Sequence, residues 1–581
     1  MNPKNRRVFL LQLASASTAV TAGGLLPSAQ AQAADGPAPE AFEHAEAERA
    51  HGPMRFEHGV ASGDPLADRV ILWTHVRRAR SDRPVLLRWE VSLDARFRRV
   101  VSAGWVKAGP DTGFTAKVDA TGLRPGQRYF YRFRTLLAVS PVGITRTLPA
   151  EGVEKVKLAV FSCSNYPAGY FHAYGEAVRQ GAEYALHLGD YIYEYGADGY
   201  ASEDAAALGR TVRPANEILT LDDYRQRYAQ YRSDPDLKQL HAHLPMIAIW
   251  DDHEIANDAW TAGAENHDDA TEGDFGQRVS AALQAYHEWM PIRTADLADL
   301  RQINRSFDFG GLLSLHMLET RLQGREKPVD FVELVNPATA SEALARLASP
   351  SRQMLGADQQ AWLTGQLQAS DATWQVLGQQ VLMGRMEFPV SILQALNPSD
   401  TSPEAQAASV QAITDYLTAK ATAAANPAAL TPAQQALLNP QFNPKLGYNL
   451  DAWDGYPAAR EILLGTAAAL GKRLVVLAGD THNAWHSHLT LMDGTKVGEE
   501  FATPGVSSPG LEEYLTTIPP AQTAAIFRGV IDTLRYCDTA RRGYLMMEFT
   551  PQAATGRWYL LDTVKSTRYG VSLDHTATFP A

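Results

Sequence analysis

Apolar runs of strand length recur through the chain, and four of them stop abruptly at a metal-ligating type of residue. Leu158-Ala159-Val160-Phe161 runs into Ser162-Cys163, and Leu186-His187-Leu188 runs into Gly189-Asp190. Met246-Ile247-Ala248-Ile249-Trp250 runs into Asp251-Asp252-His253-Glu254, and Leu474-Val475-Val476-Leu477-Ala478 into Gly479-Asp480-Thr481-His482. Continuous rather than alternating hydrophobicity predicts strands buried on both faces. Helical patterns around 171–180, 221–232, 274–289 and 359–370 fall between them, so the spacing predicts an α/β domain over 151–581. Ligands of open α/β sheets sit at the carboxyl ends of the strands, so four such ends converging on Cys, Asp and His predict one shared site.

The pattern differs earlier in the chain. Val70 to Thr74, Leu86 to Val91 and Tyr129 to Arg134 are short strand-like segments separated by turn clusters such as Leu123-Arg124-Pro125-Gly126. With no helix between them, they predict a small all-β sandwich of immunoglobulin or fibronectin type over 53–150. A segment near 395–441, rich in Ala, Gln, Thr and Pro, reads as an insertion carrying surface helices, a lid or mere decoration.

Composition narrows the function classes. With 581 residues, 45% hydrophobic and 20% charged, the chain is globular and long enough for two domains. A formal net charge of −12 argues against nucleic acid as the main partner. It is compatible with a phosphate substrate, because bound cations invert the local field. Two distant cysteines, Cys163 and Cys537, make no disulfide framework and are expected to be unbridged. Asn5-Arg6-Arg7-Val8-Phe9-Leu10, a mild apolar stretch and Ala29-Gln30-Ala31 read as a twin-arginine export signal over 1–31, followed by a flexible lead-in over 32–52. Export by the Tat machinery to the periplasm or medium is the expectation. No other apolar run approaches the roughly 18 residues of a membrane span.

The strand ends supply the donor types of a dinuclear phosphoesterase. Two ions about 3.5–4 Å apart clamp the attacking and leaving oxygens of an in-line displacement and acidify water. Asp190 is the natural bridge, with Cys163 and Tyr193 able to present a thiolate and a phenolate to one ion. Such ligands suit a trivalent or strongly Lewis-acidic metal, whereas Asp252 and Asp480 suit calcium, magnesium or manganese. Each residue also has a plain structural reading: Asp190 as a helix cap, Cys163 as inert core, Tyr193 as packing, His253 as a hydrogen-bonded core histidine. Arg321, Arg325 and Arg460 read as phosphate binders or, more simply, as solvated or salt-bridged surface arginines.

FSCSN at 161–165, HLGDYIYEY at 187–195, WDDHE at 250–254 and GDTHNAW at 479–485 together resemble the alkaline phosphatase D-type metallophosphatases. FEHGVASGDPL at 56–66, AYHEWMPIR at 285–293 and DAWDGYPAAR at 451–460 extend the resemblance, in order, over nearly the whole chain after the export signal. The resemblance implies a two-sheet α/β metallophosphoesterase domain and an exported enzyme hydrolysing small phosphomonoesters and phosphodiesters by attack of metal-bound hydroxide. It implies one Fe3+ held by Cys163, Asp190, Tyr193 and His482, as in purple acid phosphatases. It further implies one or two Ca2+, with Mn or Mg as substitutes, near Asp252 and Asp480, with Asn257 as a further ligand. Cys163 stands where the wider superfamily has the first Asp of D-x-H, Asp252 where it has the Asn of G-N-H-D/E, and Asp480 where it has the first His of G-H-x-H. No residue is identified that matches the superfamily's isolated His between the third and last motifs. His253 is expected to stabilise the transferring phosphoryl group or protonate the leaving oxygen. A phospholipase D-like diesterase and a non-catalytic protein binding phosphate or a wall polymer are the rival expectations.

Overall fold

The computed structural model describes residues 54–78, 83–136, 138–395, 402–513, 515 and 518–581; the segments expected to be an export signal (1–31) and a lead-in (32–52) lie outside them. Two large sheets carry the fold. The first has nine strands, in spatial order Val571–Pro580, Ala553–Leu561, Arg542–Phe549, Val156–Phe161, Tyr184–His187, Pro245–Ala248, Val60–Gly63, Arg69–His75 and Thr115–Thr121. The second has seven, in the order Arg305–Phe309, Leu313–Met317, Trp374–Gly378, Leu474–Ala478, Lys496–Ala502, Ala484–Thr490 and Leu534–Asp538.

All four apolar runs are strands, and each lies in the parallel centre of its sheet. Val156–Phe161, Tyr184–His187 and Pro245–Ala248 pair in parallel, as do Trp374–Gly378, Leu474–Ala478 and Lys496–Ala502. Their residues are buried on both faces, which is why the runs do not alternate. The sheets pack face to face on one core that includes Phe161, Leu186, Leu315, Trp374, Val475 and Phe501. Hydrogen bonds also tie them together: Thr503 Oγ1 donates to the Val160 carbonyl at 2.9 Å and Trp374 Nε1 to the Thr550 carbonyl at 2.8 Å.

Three of the helices beside the site start at side-chain caps. Thr220 and Asp223 form a reciprocal capping box on Leu221–Tyr231, Asp234 caps Pro235–His243, and Asp274 caps Phe275–Trp289. In the Ala-rich insertion, helix Pro403–Ala425 is docked rather than loose: Ile413, Tyr416 and Ala419 are buried, and Lys420 donates to the Gly529 carbonyl at 2.6 Å.

The segment expected to be a small all-β sandwich, 53–150, shares one of its layers with the rest of the chain. Val85–Ser92, Val100–Ala108, Arg128–Arg134 and Gly143–Arg146 do form a four-stranded sheet, and it packs over its own core. Its opposing layer, however, is the outer end of the nine-stranded sheet, because Val60–Gly63 pairs in parallel with Pro245–Ala248. Asp64, fully buried just after that strand, accepts from both Arg305 and Arg293, locking the junction. The alternating pattern of these strands marks them as β without showing which edge they join.

At the same junction His58, His75 and Trp289 form a buried ring cluster, with His58 edge-on to His75 at 4.7 Å and Trp289 stacked on His75 at 5.1 Å. Burial depresses His58 to about 2 and His75 to about 4, with the nearby Arg232 adding to both. Folded pKa values below the ordinary 6.5 mean that the unfolded chain takes up protons first on acidification. The stability these neutral rings contribute is therefore complete above that value and is lost as pH falls toward the folded values. Urea unfolding between about pH 7 and about pH 5 should show a loss whose slope steepens below the unfolded pKa toward about 1.4 kcal/mol per pH unit for each histidine. His75→Phe should flatten the slope by one histidine's share, and an unchanged slope would exclude this cluster as its source.

Candidate metal centre

Three of the four strand ends turn sharply into the site through left-handed residues. Cys163, Asp190, Asp480 and His482 all adopt left-handed backbone, with φ of 61°, 53°, 65° and 63°. Non-glycine residues rarely do so, and strain of this kind persists only where surrounding structure imposes it. The imposing contacts are visible. The Cys163 amide donates to Gly189, the Ser164 amide to Asp190 and the Gly505 amide to His482. Gly189, at φ 109°, leaves room for the neighbouring turn, since a Cβ there would lie 2.3 Å from Asp251 Cβ. Glu254 is the central clasp: its buried carboxylate accepts from the amides of Asp190, Tyr191 and Asp251 at 3.0, 2.5 and 2.7 Å.

These turns gather three linked donor sets. Cys163, Asp190 and His482 form one; Asp190, Asp252 and His253 the next; Asp251, Asp252 and Asp480 the third, with ligand atoms in each set within 4.8 Å of one another. Asp190 and Asp252 each belong to two sets, the position a bridging carboxylate needs. Tyr193 joins the first set, its hydroxyl donating to Asp190 Oδ2 at 2.9 Å and lying 3.1 Å from His482 Nε2. His482 Nδ1 is held by the Pro509 carbonyl at 2.7 Å, which orients the ring. Asn257 lies on the adjoining loop, with its side-chain amide nitrogen committed to Glu265 at 2.9 Å.

The donor atoms fit bound cations. Asp190 Oδ1, Asp251 Oδ2 and Asp252 Oδ1 are buried without a hydrogen-bond partner, a costly arrangement for a carboxylate oxygen. Protein groups alone leave the electrostatics frustrated. Burial, then Asp190, pushes the Cys163 thiol and the Tyr193 phenol well above their ordinary ranges. Burial and neighbouring carboxylates raise Asp252 to about 6, although Arg321 opposes this. A cation reverses that logic for thiol, phenol and carboxyl alike.

His253 is set apart from the other donors. Its Nδ1 lies 2.7 Å from Glu194 Oε2, and its ring stacks on Tyr193 at 4.2 Å. Burial pulls its pKa down, but Glu194, Asp252 and Asp190 together hold it well above the usual value.

The arginines differ from the surface reading. Arg321, Arg325 and Arg460 are fully buried. Arg321 bonds Asp251, Asp451 and Asp480 and lies 3.4 Å from Asp252, so it serves the carboxylates rather than a substrate. Arg325 pairs with the same Asp451, and Arg460 donates to the Met383 and Thr490 carbonyls. Asp251, Glu194 and Glu254 lie within the HLGDYIYEY and WDDHE motifs, where sequence alone does not distinguish them from the ligands, and nothing in the sequence around Arg321 ties it to these carboxylates. His187 and His486 stay outside the three sets, His187 on the Tyr174 hydroxyl and His486 on Glu499. Cys163 and Cys537 are unbridged.

The profile of the PhoD-like phosphatases matches residues 158–558, and that of the PhoD-like phosphatase N-terminal domain matches 42–149. The chain belongs to the PhoD-like phosphatase family. It is 35% identical over 470 residues to alkaline phosphatase D of Bacillus subtilis (strain 168), covering 78% of this chain and 70% of that protein. A solved structure titled "Structure of PhoD" superposes with a TM-score of 0.71 at 31% identity, covering 90% of each chain. Membership makes this PhoD-like protein a phosphoric ester hydrolase. Among the described residues, no helix is long and apolar enough to cross a membrane.

Glu254 should be essential to the site without being a ligand. Glu254→Ala strands three buried amides, and urea unfolding is expected to show a loss of about 3 kcal/mol or more together with loss of phosphatase activity. Wild-type stability in that variant would show that the turns hold themselves.

Proposed function

We propose that this PhoD-like phosphatase is an exported, metal-dependent hydrolase of phosphomonoesters and phosphodiesters. The observation that carries the reading is the row of three donor sets joined through Asp190 and Asp252. The soft and aromatic donors Cys163, Tyr193 and His482 lie at one end and suit Fe3+. The carboxylates Asp251, Asp252 and Asp480 lie at the other and suit Ca2+, with Mn or Mg able to substitute and Asn257 within the same loop. When bound, such cations supply Lewis acidity to a phosphoryl oxygen and acidify water.

The chain's own residues do the rest. Asp190 and Asp252 fix the spacing of the two ends. His253, kept protonated by Glu194, stabilises negative charge on the phosphoryl oxygens and gives its proton to the leaving oxygen. Glu194 is thereby a positioning residue. Arg321, bonded to both Asp251 and Asp480, tethers these carboxylates side by side without touching substrate. The export signal at 1–31 directs the folded, metal-loaded protein through the Tat machinery to the periplasm or medium.

Metal analysis and turnover together test this reading. Protein from a Tat-competent host should hold about one iron per chain, lose p-nitrophenyl phosphate and bis-p-nitrophenyl phosphate hydrolysis on chelation, and regain it with calcium. Asp190→Asn should lower kcat/KM at least about a thousandfold, and His253→Gln about a hundredfold or more, both with the fold intact. Cys163→Ala should lose the iron. Substantial turnover by Asp190→Asn would remove the bridge assignment, and metal binding without turnover on either ester would favour a binding protein.

A further inference from the structure

The outer face of the four-stranded sheet does not resemble the rest of this acidic protein. Between Arg83 and Arg146 the chain carries twelve Lys and Arg against four Asp and Glu, whereas its overall formal charge is −12. Strand alternation sorts these residues. Leu87, Val91, Tyr131 and Phe133 point into the core, so Arg88, Lys107, Arg128, Arg132 and Arg134 share the opposite, outward face. The register sets them side by side, with Arg88 opposite both Trp105 and Arg134, and Leu86 opposite Lys107. Glu90 is the one carboxylate among them on these strands, and it serves Arg88, Arg132 and Arg134 at once at 3.0, 2.8 and 3.8 Å. Three guanidiniums on one carboxylate leave net positive charge on the face.

The same face is also greasy. Of the twelve large apolar side chains exposed among the described residues, six belong to this sheet and its hairpin, including Leu86 at 60%, Trp105 at 61% and Leu136 at 103% exposure. The Arg88 guanidinium lies over the Trp105 ring at 5.8 Å. Leu136 follows Arg134 by two residues, at the end of the sheet where Leu86 begins its strand. Isolated exposed apolar residues need no account, but a contiguous group ringed by arginines marks an interaction surface.

We propose that this face is a docking surface for an anionic lipid bilayer, holding the enzyme peripherally at a membrane. Charge complementarity selects an anionic partner. The exposed apolar side chains decide between anionic partners: a hydrated polyanion would leave Leu86, Trp105 and Leu136 in water, whereas a lipid interface takes them up while the arginines remain at headgroup level. The surface lies in the N-terminal β region and uses no residue of the metal centre, so docking leaves the donor sets untouched.

Co-sedimentation of the purified full-length protein with vesicles tests this directly. Vesicles of phosphatidylcholine containing one-third phosphatidylglycerol should bind at least about tenfold more tightly than phosphatidylcholine alone, and high salt should abolish the difference. Arg88→Gln with Lys107→Gln should lower the vesicle partition constant about tenfold, and Leu86→Ser with Trp105→Ser should lower it several-fold at any salt. All four positions are away from the metal centre, so p-nitrophenyl phosphate hydrolysis should be unchanged and reports that the variants are folded. Equal binding to neutral and anionic vesicles, insensitivity to both double variants, or capture by soluble polyphosphate but not by anionic vesicles would each overturn the proposal.

Discussion

Like charges crowded into a buried space are the constraint from which the rest of this structure follows. Asp190, Asp251, Asp252 and Asp480 meet beside a thiol and a phenol with almost no access to water. In a low-dielectric interior such groups repel strongly, and burial together with the neighbouring carboxylates holds Asp251 and Asp252 above the ordinary carboxylate range. Arg321 supplies one buried positive charge to four carboxylates, and it shares one of them, Asp451, with Arg325. That is too little counter-charge for the cluster to relax into ordinary salt bridges. The donors remain available for cations because the scaffold holds them against their repulsion.

Holding them requires two sheets. Cys163, Asp190 and the Asp251-Asp252 pair follow strands of the nine-stranded sheet, whereas Asp480 and His482 follow a strand of the other. The site exists only while the sheets keep their relative position, and the contacts across the seam lie next to it. Ser162 bridges to Gly505, Ser508 Oγ donates to the Tyr193 hydroxyl at 2.7 Å, and the Ser507 and Ser508 amides reach the Cys163 carbonyl. Left-handed φ at four donor positions belongs to the same account. The turns are bent to aim side chains into one space, and the packed seam supports the strain.

What could be read in advance depended on the range of the physics involved. Strands buried on both faces announce themselves by unbroken hydrophobicity, and a strand that stops at Asp or Cys announces a functional end. Seven of the eight proposed site residues lie in or against one of the three donor sets, and Asn257 adjoins them with its amide nitrogen turned to Glu265. Glu254 and Glu194 act on backbone amides and on a ring nitrogen from within the motifs, and composition cannot separate such a clasp from a ligand. Arg321 meets partners 70, 130 and 159 residues away, a pairing that exists only after folding. The junction of Val60–Gly63 with Pro245–Ala248 was hidden for the same reason: alternation shows which face of a strand is buried but not which neighbour it pairs with.

Charge shows most plainly how a whole-chain number differs from a local surface. A net −12 argues against a phosphate-backbone partner, and it does so only if the charge is spread evenly. At physiological ionic strength a surface group senses charges within about 8 Å, so a partner meets a face and not an average. The acidic balance here is concentrated elsewhere in the chain, while one sheet of the N-terminal region keeps an excess of arginine beside its exposed tryptophan. The metal centre reverses the sign again, since its own side chains are anionic and its phosphate substrate is too. On the proposed reading, substrate binding there depends on cations that the carboxylates collect, whereas any anionic surface approaching the sheet meets fixed positive charge. One acidic protein thus presents two anion-attracting regions built on opposite principles.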